Sequence, residues 1–123
     1  MITGAVASGR GPIVPLVVLD AEGHEHSLSA IVDTGFNGWL TLPGRLARLW
    51  GIPSREQGSA VLADGSVVYY TVYRASVMWD GQPIAVLIDE MESEPLIGMR
   101  LTHGYRMLIE SVDGGAVSIE RMT

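Results

Sequence analysis

The sequence predicts an all-β fold, and three observations carry that reading. Apolar residues come in short runs, alternating or continuous, of the length that strands use and that core helices exceed. The 15 glycines punctuate these runs, and Asp64-Gly65, Asp80-Gly81 and Asp113-Gly114 each fall between apolar stretches, where Asp-Gly is a strong hairpin signal. Hydrophobic residues make up 47% of the 123, enough to bury the core of one domain spanning residues 1–123.

Taken in order, residues 2–7 read as a strand, 8–11 as a turn, and 13–19 as a second, strongly apolar strand. After the turn Asp20-Ala21-Glu22-Gly23, residues 25–32 form a strand with one wet face early that becomes apolar throughout near its end. Residues 39–42 leave the next loop as a strand. Pro43 then opens a short helix, with Leu46, Leu49 and Trp50 at helical spacing and Gly51 as its stop. Strands at 59–62 and 67–73 flank Ala63-Asp64-Gly65-Ser66, and the second continues to 79. Asp80-Gly81-Gln82-Pro83 turns the chain into a buried strand at 84–88, and the acidic run 89–94 reads as a solvated connection. Leu96-Ile97-Gly98 leads into a second short helix over 99–103 ended by Gly104, and strands at 105–111 and 116–121 pair around 112–115.

One stretch concentrates the chemistry. Ala30-Ile31-Val32 ends a buried strand and delivers Asp33 into a turn that Gly35 and Gly38 make pliable, before Trp39-Leu40-Thr41-Leu42 carries the chain away. A carboxylate so placed is expected in a low-dielectric setting. There it needs hydrogen bonds, a cation, or a second carboxylate with which to share a proton. The first two arrangements describe a plain strand-end turn, and the third describes a catalyst.

Asp33-Thr34-Gly35 with its apolar flanks, together with the later Pro95-Leu96-Ile97-Gly98-Met99, resembles the single-domain aspartic proteases of the retroviral type, most closely their bacterial relatives. The resemblance covers nearly the whole chain. It implies a retropepsin-like acid protease barrel with a flap hairpin and one or two short helices, assembled as a homodimer. It further implies that Asp33, Thr34 and Gly35 are the catalytic motif, that Ala63, Asp64 and Gly65 form a flap over the substrate, and that Ile97 lines the cleft. An aspartic peptidase needs two carboxylates close enough to share one proton, one acting as general base on water and the other donating to the substrate carbonyl. This chain has one Asp-Thr-Gly, and Asp64, Asp80 and Asp113 belong to hairpin turns. The partner carboxylate is therefore expected from a second copy across a two-fold axis, where a residue meets its own image. Phe36, Asn37 and Met99 stand where viral members carry Ala, an acidic residue and the Arg that pairs with it, so the viral ion pair is missing. The bacterial relatives often carry Phe-x-Gly after the motif. The runner-up reading is a non-catalytic dimer of this fold that binds peptides or serves a regulatory partner.

Composition narrows the rest. Eight Lys plus Arg against 14 Asp plus Glu give a formal charge of −6, which argues against nucleic acid or an anionic membrane as the main partner. With zero cysteines, disulfides, thiolate metal sites and cysteine nucleophiles are excluded. His24 and His26 lack a third clustered ligand and read as solvated side chains, and His103 as a favourable charge at a helix end, so no metal and no cofactor is expected. Trp39, Trp50 and Trp79 read as core or interface residues. Residues 1–10 have neither a basic start nor a sustained apolar segment, so the expected location is cytoplasmic, without a membrane partner.

Overall fold

Burial with a period of two runs through the longer strands. In β2 (Gly11–Leu19), Val14, Leu16 and Val18 are buried and the residues between them are more open, because successive side chains of a pleated strand point to opposite faces. The inner half of β6 (Val67–Trp79) does the same, with Tyr73, Ala75, Val77 and Trp79 in the core. The computed structural model describes residues 1–123 and is predominantly β, with ten strands and one short helix. The other strands are β1 (Ile2–Ala7), β3 (Glu25–Val32), β4 (Leu40–Leu42), β5 (Ser54–Val61), β7 (Gln82–Glu90), β8 (Leu96–Ile97), β9 (Tyr105–Ile109) and β10 (Ala116–Arg121). The helix α1 (Gly44–Leu49) lies between β4 and β5.

All ten strands join one sheet in the order β5-β6-β7-β4-β8-β3-β2-β1-β10-β9, and β2 also pairs with β6. That extra ladder, from Val17 opposite Met78 to Leu19 opposite Ser76, closes a circuit of six strands running β6-β7-β4-β8-β3-β2. One strand can serve three neighbours because the start of β2 pairs with β1, its end pairs with β6, and β3 follows its other edge. Gly4 permits the close approach of β1 to β2, since a Cβ there would collide with the Ile13 carbonyl oxygen. The enclosed side chains form one cluster, whose largest fully buried members include Trp79, Leu40, Leu42, Ile88, Ile97 and Ile119. Trp39 and Trp50 pack against it, partly buried.

β1, β3, β6 and β10 have the bounds that the sequence predicts, and α1 follows Pro43 and stops before Gly51, whose φ is +65°. Three local expectations are corrected. The strand expected at 59–62 begins at Ser54, because β5 finds partners in β6 from Tyr73 onward to Val67. The predicted acidic loop loses Asp89 and Glu90 to β7, where they pair with β4 and, for Asp89, with Val72 of β6. The second helix expected over 99–103 is a run of turns. The amides of Leu101 and Thr102 both bond to the Gly98 carbonyl (3.2 and 3.4 Å), and Gly104, at φ +86°, bends the chain straight into β9. His103 therefore ends no helix. Nor is His26 simply solvated: its ring stacks on Trp50 with centroids 4.8 Å apart, and its Nε2 meets Asp20 Oδ2 at 2.9 Å. No helix is long and apolar enough to cross a membrane.

Candidate active site

Asp33 follows directly on β3, and its backbone is fixed from the neighbouring strand. β3 and β8 run parallel, Ile31 beside Leu96 and Val32 beside Ile97, and the Asp33 amide donates to the Ile97 carbonyl at 2.9 Å. The chain then turns back on itself. The Phe36 amide donates to the Asp33 carbonyl (3.1 Å), and the Gly35 amide donates to carboxylate Oδ1 of Asp33 (2.8 Å). The turn is laced to the segment after β8 by Gly98 N–H to the Trp39 carbonyl (3.0 Å), Met99 N–H to that of Phe36 (2.8 Å) and Arg100 N–H to that of Gly38 (3.1 Å). Two motifs far apart in the sequence thus form one hydrogen-bonded unit. Gly98 is required here, because a Cβ would run into the Gly38 carbonyl oxygen and the Phe36 ring. Beneath it the buried Thr41 hydroxyl accepts the Leu96 amide at 3.0 Å.

The Asp-Thr-Gly turn lies at the surface of the chain. Asp33 is half-buried, while Thr34 and Gly35 are exposed. The low-dielectric setting expected for this carboxylate is therefore only partly realised within one chain, where a backbone amide rather than full enclosure holds Oδ1. No hydrogen bond within the chain engages the Thr34 side chain, and none joins Asp33 to a second carboxylate.

Ile97 does not take its expected place on a cleft wall. It is fully buried in the core beside Val32, and it serves Asp33 through its backbone carbonyl. Adjacent strand residues face opposite ways, so the half-buried Leu96 is the member of the pair turned from the core. Ala63, Asp64 and Gly65 form the tip of the β5–β6 hairpin, all exposed, with Gly65 at φ +86°. The tip bonds to itself alone: Leu62 N–H to the Ser66 carbonyl (2.8 Å), Gly65 N–H to that of Leu62 (2.9 Å), and Ser66 N–H to Asp64 Oδ1 (2.9 Å). The Ser66 hydroxyl, aided by its amide, holds the Asp64 carboxyl below the ordinary carboxylate range. No hydrogen bond links this tip to the Asp33 turn.

Asp89, which sequence reasoning left in a loop, comes close to the turn instead, with Tyr70 near it on the sheet. A methyl group on Gly38 would sit 2.6 Å from the Phe36 ring and 3.4 Å from Oδ2 of Asp89. Burial pushes the Asp89 carboxyl above its ordinary value. Tyr70, from the root of the hairpin, lies across Gly58 of β5, where a Cβ would come within 2.5 Å of its ring. Its phenol is raised by burial and then by the charge of Asp89. On the surface beside the turn opens a hollow of about 470 Å³ lined by Asn37, Trp39, Met99, Arg100 and His103. There the Arg100 guanidinium lies 5.6 Å from the centre of the Trp39 ring. No protein-family model matches the chain, and no curated protein matches it.

Proposed function

We propose that this chain is an aspartic endopeptidase of the retropepsin-like kind, a homodimer in which Asp33 of each protomer supplies half of a catalytic dyad. The observation that carries the reading is the hydrogen-bonded union of the Asp33-Thr34-Gly35 turn with the Leu96-Ile97-Gly98 segment, which leaves Thr34 and Gly35 outward and Asp33 half-exposed. A two-fold axis against this surface brings the two carboxylates together and lets Thr34 brace the opposite turn. The closed circuit of six strands supports a barrel beneath them, and the exposed β5–β6 hairpin supports a flap above.

In such a dimer one carboxylate takes a proton from water as the water attacks the scissile carbonyl, and the other, protonated, donates to the carbonyl oxygen. The resulting tetrahedral diol collapses as a proton passes to the leaving nitrogen, and the C–N bond breaks. The Gly35 amide on Oδ1 fixes the orientation of each carboxylate without consuming its second oxygen. Since the shared proton belongs to the pair, activity is bell-shaped in pH.

The test is hydrolysis of a broad peptide library by wild type and Asp33→Asn at matched dimer concentration, from acidic to neutral pH. The Asn side chain keeps the shape but cannot act as general base, so turnover falls by several powers of ten, on the order of what loss of a catalytic group costs, while folding and dimerisation persist. Wild-type cleavage by the Asn variant sinks the aspartic mechanism. A strictly monomeric wild type at micromolar concentration, by sedimentation, sinks the shared site. Absence of cleavage by either protein favours the peptide-binding module, for which the open apolar side chains of the hairpin, Val61, Val67, Val68 and Tyr69, provide a surface.

A further inference from the structure

β7 ends in two adjacent carboxylates that face opposite sides of the sheet, and their surroundings differ. Glu90 is engaged: the Tyr73 hydroxyl donates to its Oε1 at 2.6 Å, Arg48 approaches the same oxygen at 3.7 Å, and Gly44 packs against it. Asp89 has no such company. None of the ion pairs in the chain includes it, although Arg48, Arg10 and the two histidines near Asp20 all find acidic partners, and no hydrogen bond reaches its carboxylate.

The face that Asp89 shares is the one turned from the core. Its cross-strand partner Val72 is 5% exposed yet stands apart from the main core cluster, and Tyr70 lies two residues along β6 on the same side. From the other direction the Asp33 turn brings Gly38 close, its Cβ position 3.4 Å from Asp89 Oδ2. A half-buried carboxylate therefore stands beside Gly38 of the Asp33 turn and opposite Val72 of β6, with no cation of its own. An unpaired carboxylate in a partly dry place is costly, and the arrangement is relieved by a cation supplied from outside. Gly38 lets the Phe36 ring lie over the turn on this side, since a Cβ there would sit 2.6 Å from the ring.

We infer that Asp89 is a specificity-determining residue that selects peptides carrying an arginine or lysine side chain close to the scissile bond. The inference rests on the peptidase reading for its position in a cleft. The raised titration of Asp89, caused by burial, agrees with a carboxylate that lacks its counter-charge, and its charge in turn helps to push the Tyr70 phenol up. A bound guanidinium makes charge-assisted hydrogen bonds in a fork that a neutral side chain of equal length cannot reproduce.

The experiment compares matched peptides with arginine or citrulline at each position flanking the cut. With wild type, kcat/KM favours arginine at one position by about tenfold or more, the usual effect of a charged hydrogen bond. In Asp89→Asn that ratio falls to about one, and Asp89→Arg turns the preference toward glutamate peptides. A second readout is binding of the same peptides to Asp33→Asn protein, which needs no turnover. Cleavage of the library without preference for arginine, or a preference that survives in Asp89→Asn, overturns the inference and leaves the peptidase reading intact. Arginine-selective binding that depends on Asp89, without cleavage by wild type, supports the inference and sinks catalysis. Neither binding nor cleavage of any peptide overturns both. Should Asp89→Asn fail to fold, the arginine-to-citrulline ratio with wild type alone still decides whether basic side chains are selected.

Discussion

Two hairpins in this molecule share one turn chemistry and differ in everything that lies under the turn. β5–β6 turns at Asp64-Gly65 and β9–β10 at Asp113-Gly114, with Gly65 at φ +86° and Gly114 at φ +75°. In the C-terminal hairpin Val117 and Ile119 are almost wholly enclosed, and β10 is paired on both sides by β1 and β9. In the other, Val61 is 73% exposed and Tyr69 68%, and β5 has β6 as its single partner. The division falls within one strand: β6 is open from Val67 to Tyr69, and from Tyr73 inward every second residue is buried. Turn residues thus specify that a hairpin forms. What the strands lie against decides whether it adds to the stability of the whole or opens on its own.

The largest effect that separates the two is a core truncation. Ile119→Ala leaves a cavity in the core cluster and costs about 2–5 kcal/mol, whereas Val68→Ala stays within about 0.5 kcal/mol because its side chain already meets solvent. Denaturant midpoints measure both. Equal losses would break the comparison, showing that the outer hairpin packs on the body of the chain. Next in size is alanine at each turn glycine. Gly65→Ala and Gly114→Ala both place a side chain in left-handed backbone at about 1–2 kcal/mol, but only the Gly114 change should lower global stability by that amount. The Gly65 change is expected to appear as local opening of the tip, read by hydrogen exchange.

A third contrast concerns ligand. Amides at 62–67 are expected to exchange fast in the free protein and to gain protection with a statin-type peptide inhibitor, since a loop covering a cleft must open to admit substrate and order upon it. Amides of β10 should be protected in both states. Strong and equal protection at 62–67 with and without inhibitor would count against a flap.

The same contrast explains what the sequence could and could not disclose. β10, β6 and the Asp-Gly turns were legible because alternation and turn residues act locally, and α1 because Pro43 and Gly51 bracket it. Ile97 was not. A two-residue strand carries no period, and the face it shows is decided by its parallel register with β3, which sets Ile97 beside buried Val32. Asp89 hid in an acidic run that looks like a loop, since its placement depends on β4 and Val72, distant partners that no local pattern names. The missing second helix has a similar cause. Gly98 is pinned under Gly38, and Met99 and Arg100 give their amides to the Asp33 turn, so too few residues remain before Gly104 for a helix to propagate. The half-exposed state of Asp33 is a property of the single chain that no pattern conveys.

The smallest expected effect lies where the open hairpin leaves the body. Trp50 follows α1, and after Gly51, Ile52 and Pro53 the chain enters β5. The His26 ring stacks on Trp50 and meets Asp20, so this clasp holds the root of the hairpin to the β2–β3 turn. The His26 hydrogen bond, with further help from the amides of His24 and Glu22, lowers the Asp20 carboxyl from its ordinary 3.8 to about 2. A carboxylate held lower in the folded than in the unfolded chain contributes stability that is complete above the unfolded value. That contribution is lost as pH falls from 3.8 through about 2. In that window Asp20 protonates, the clasp slackens, and exchange at 54–56 should rise before that of β10. Asp64 and Asp80 are also held low, so the measurement that isolates the clasp is the difference between wild type and Asp20→Asn. The wild type should lose melting temperature more steeply between pH 4 and 2, a modest effect because the group is solvent-screened. Identical slopes would show that the clasp contributes nothing, and that the hairpin root is held by the β5–β6 ladder alone.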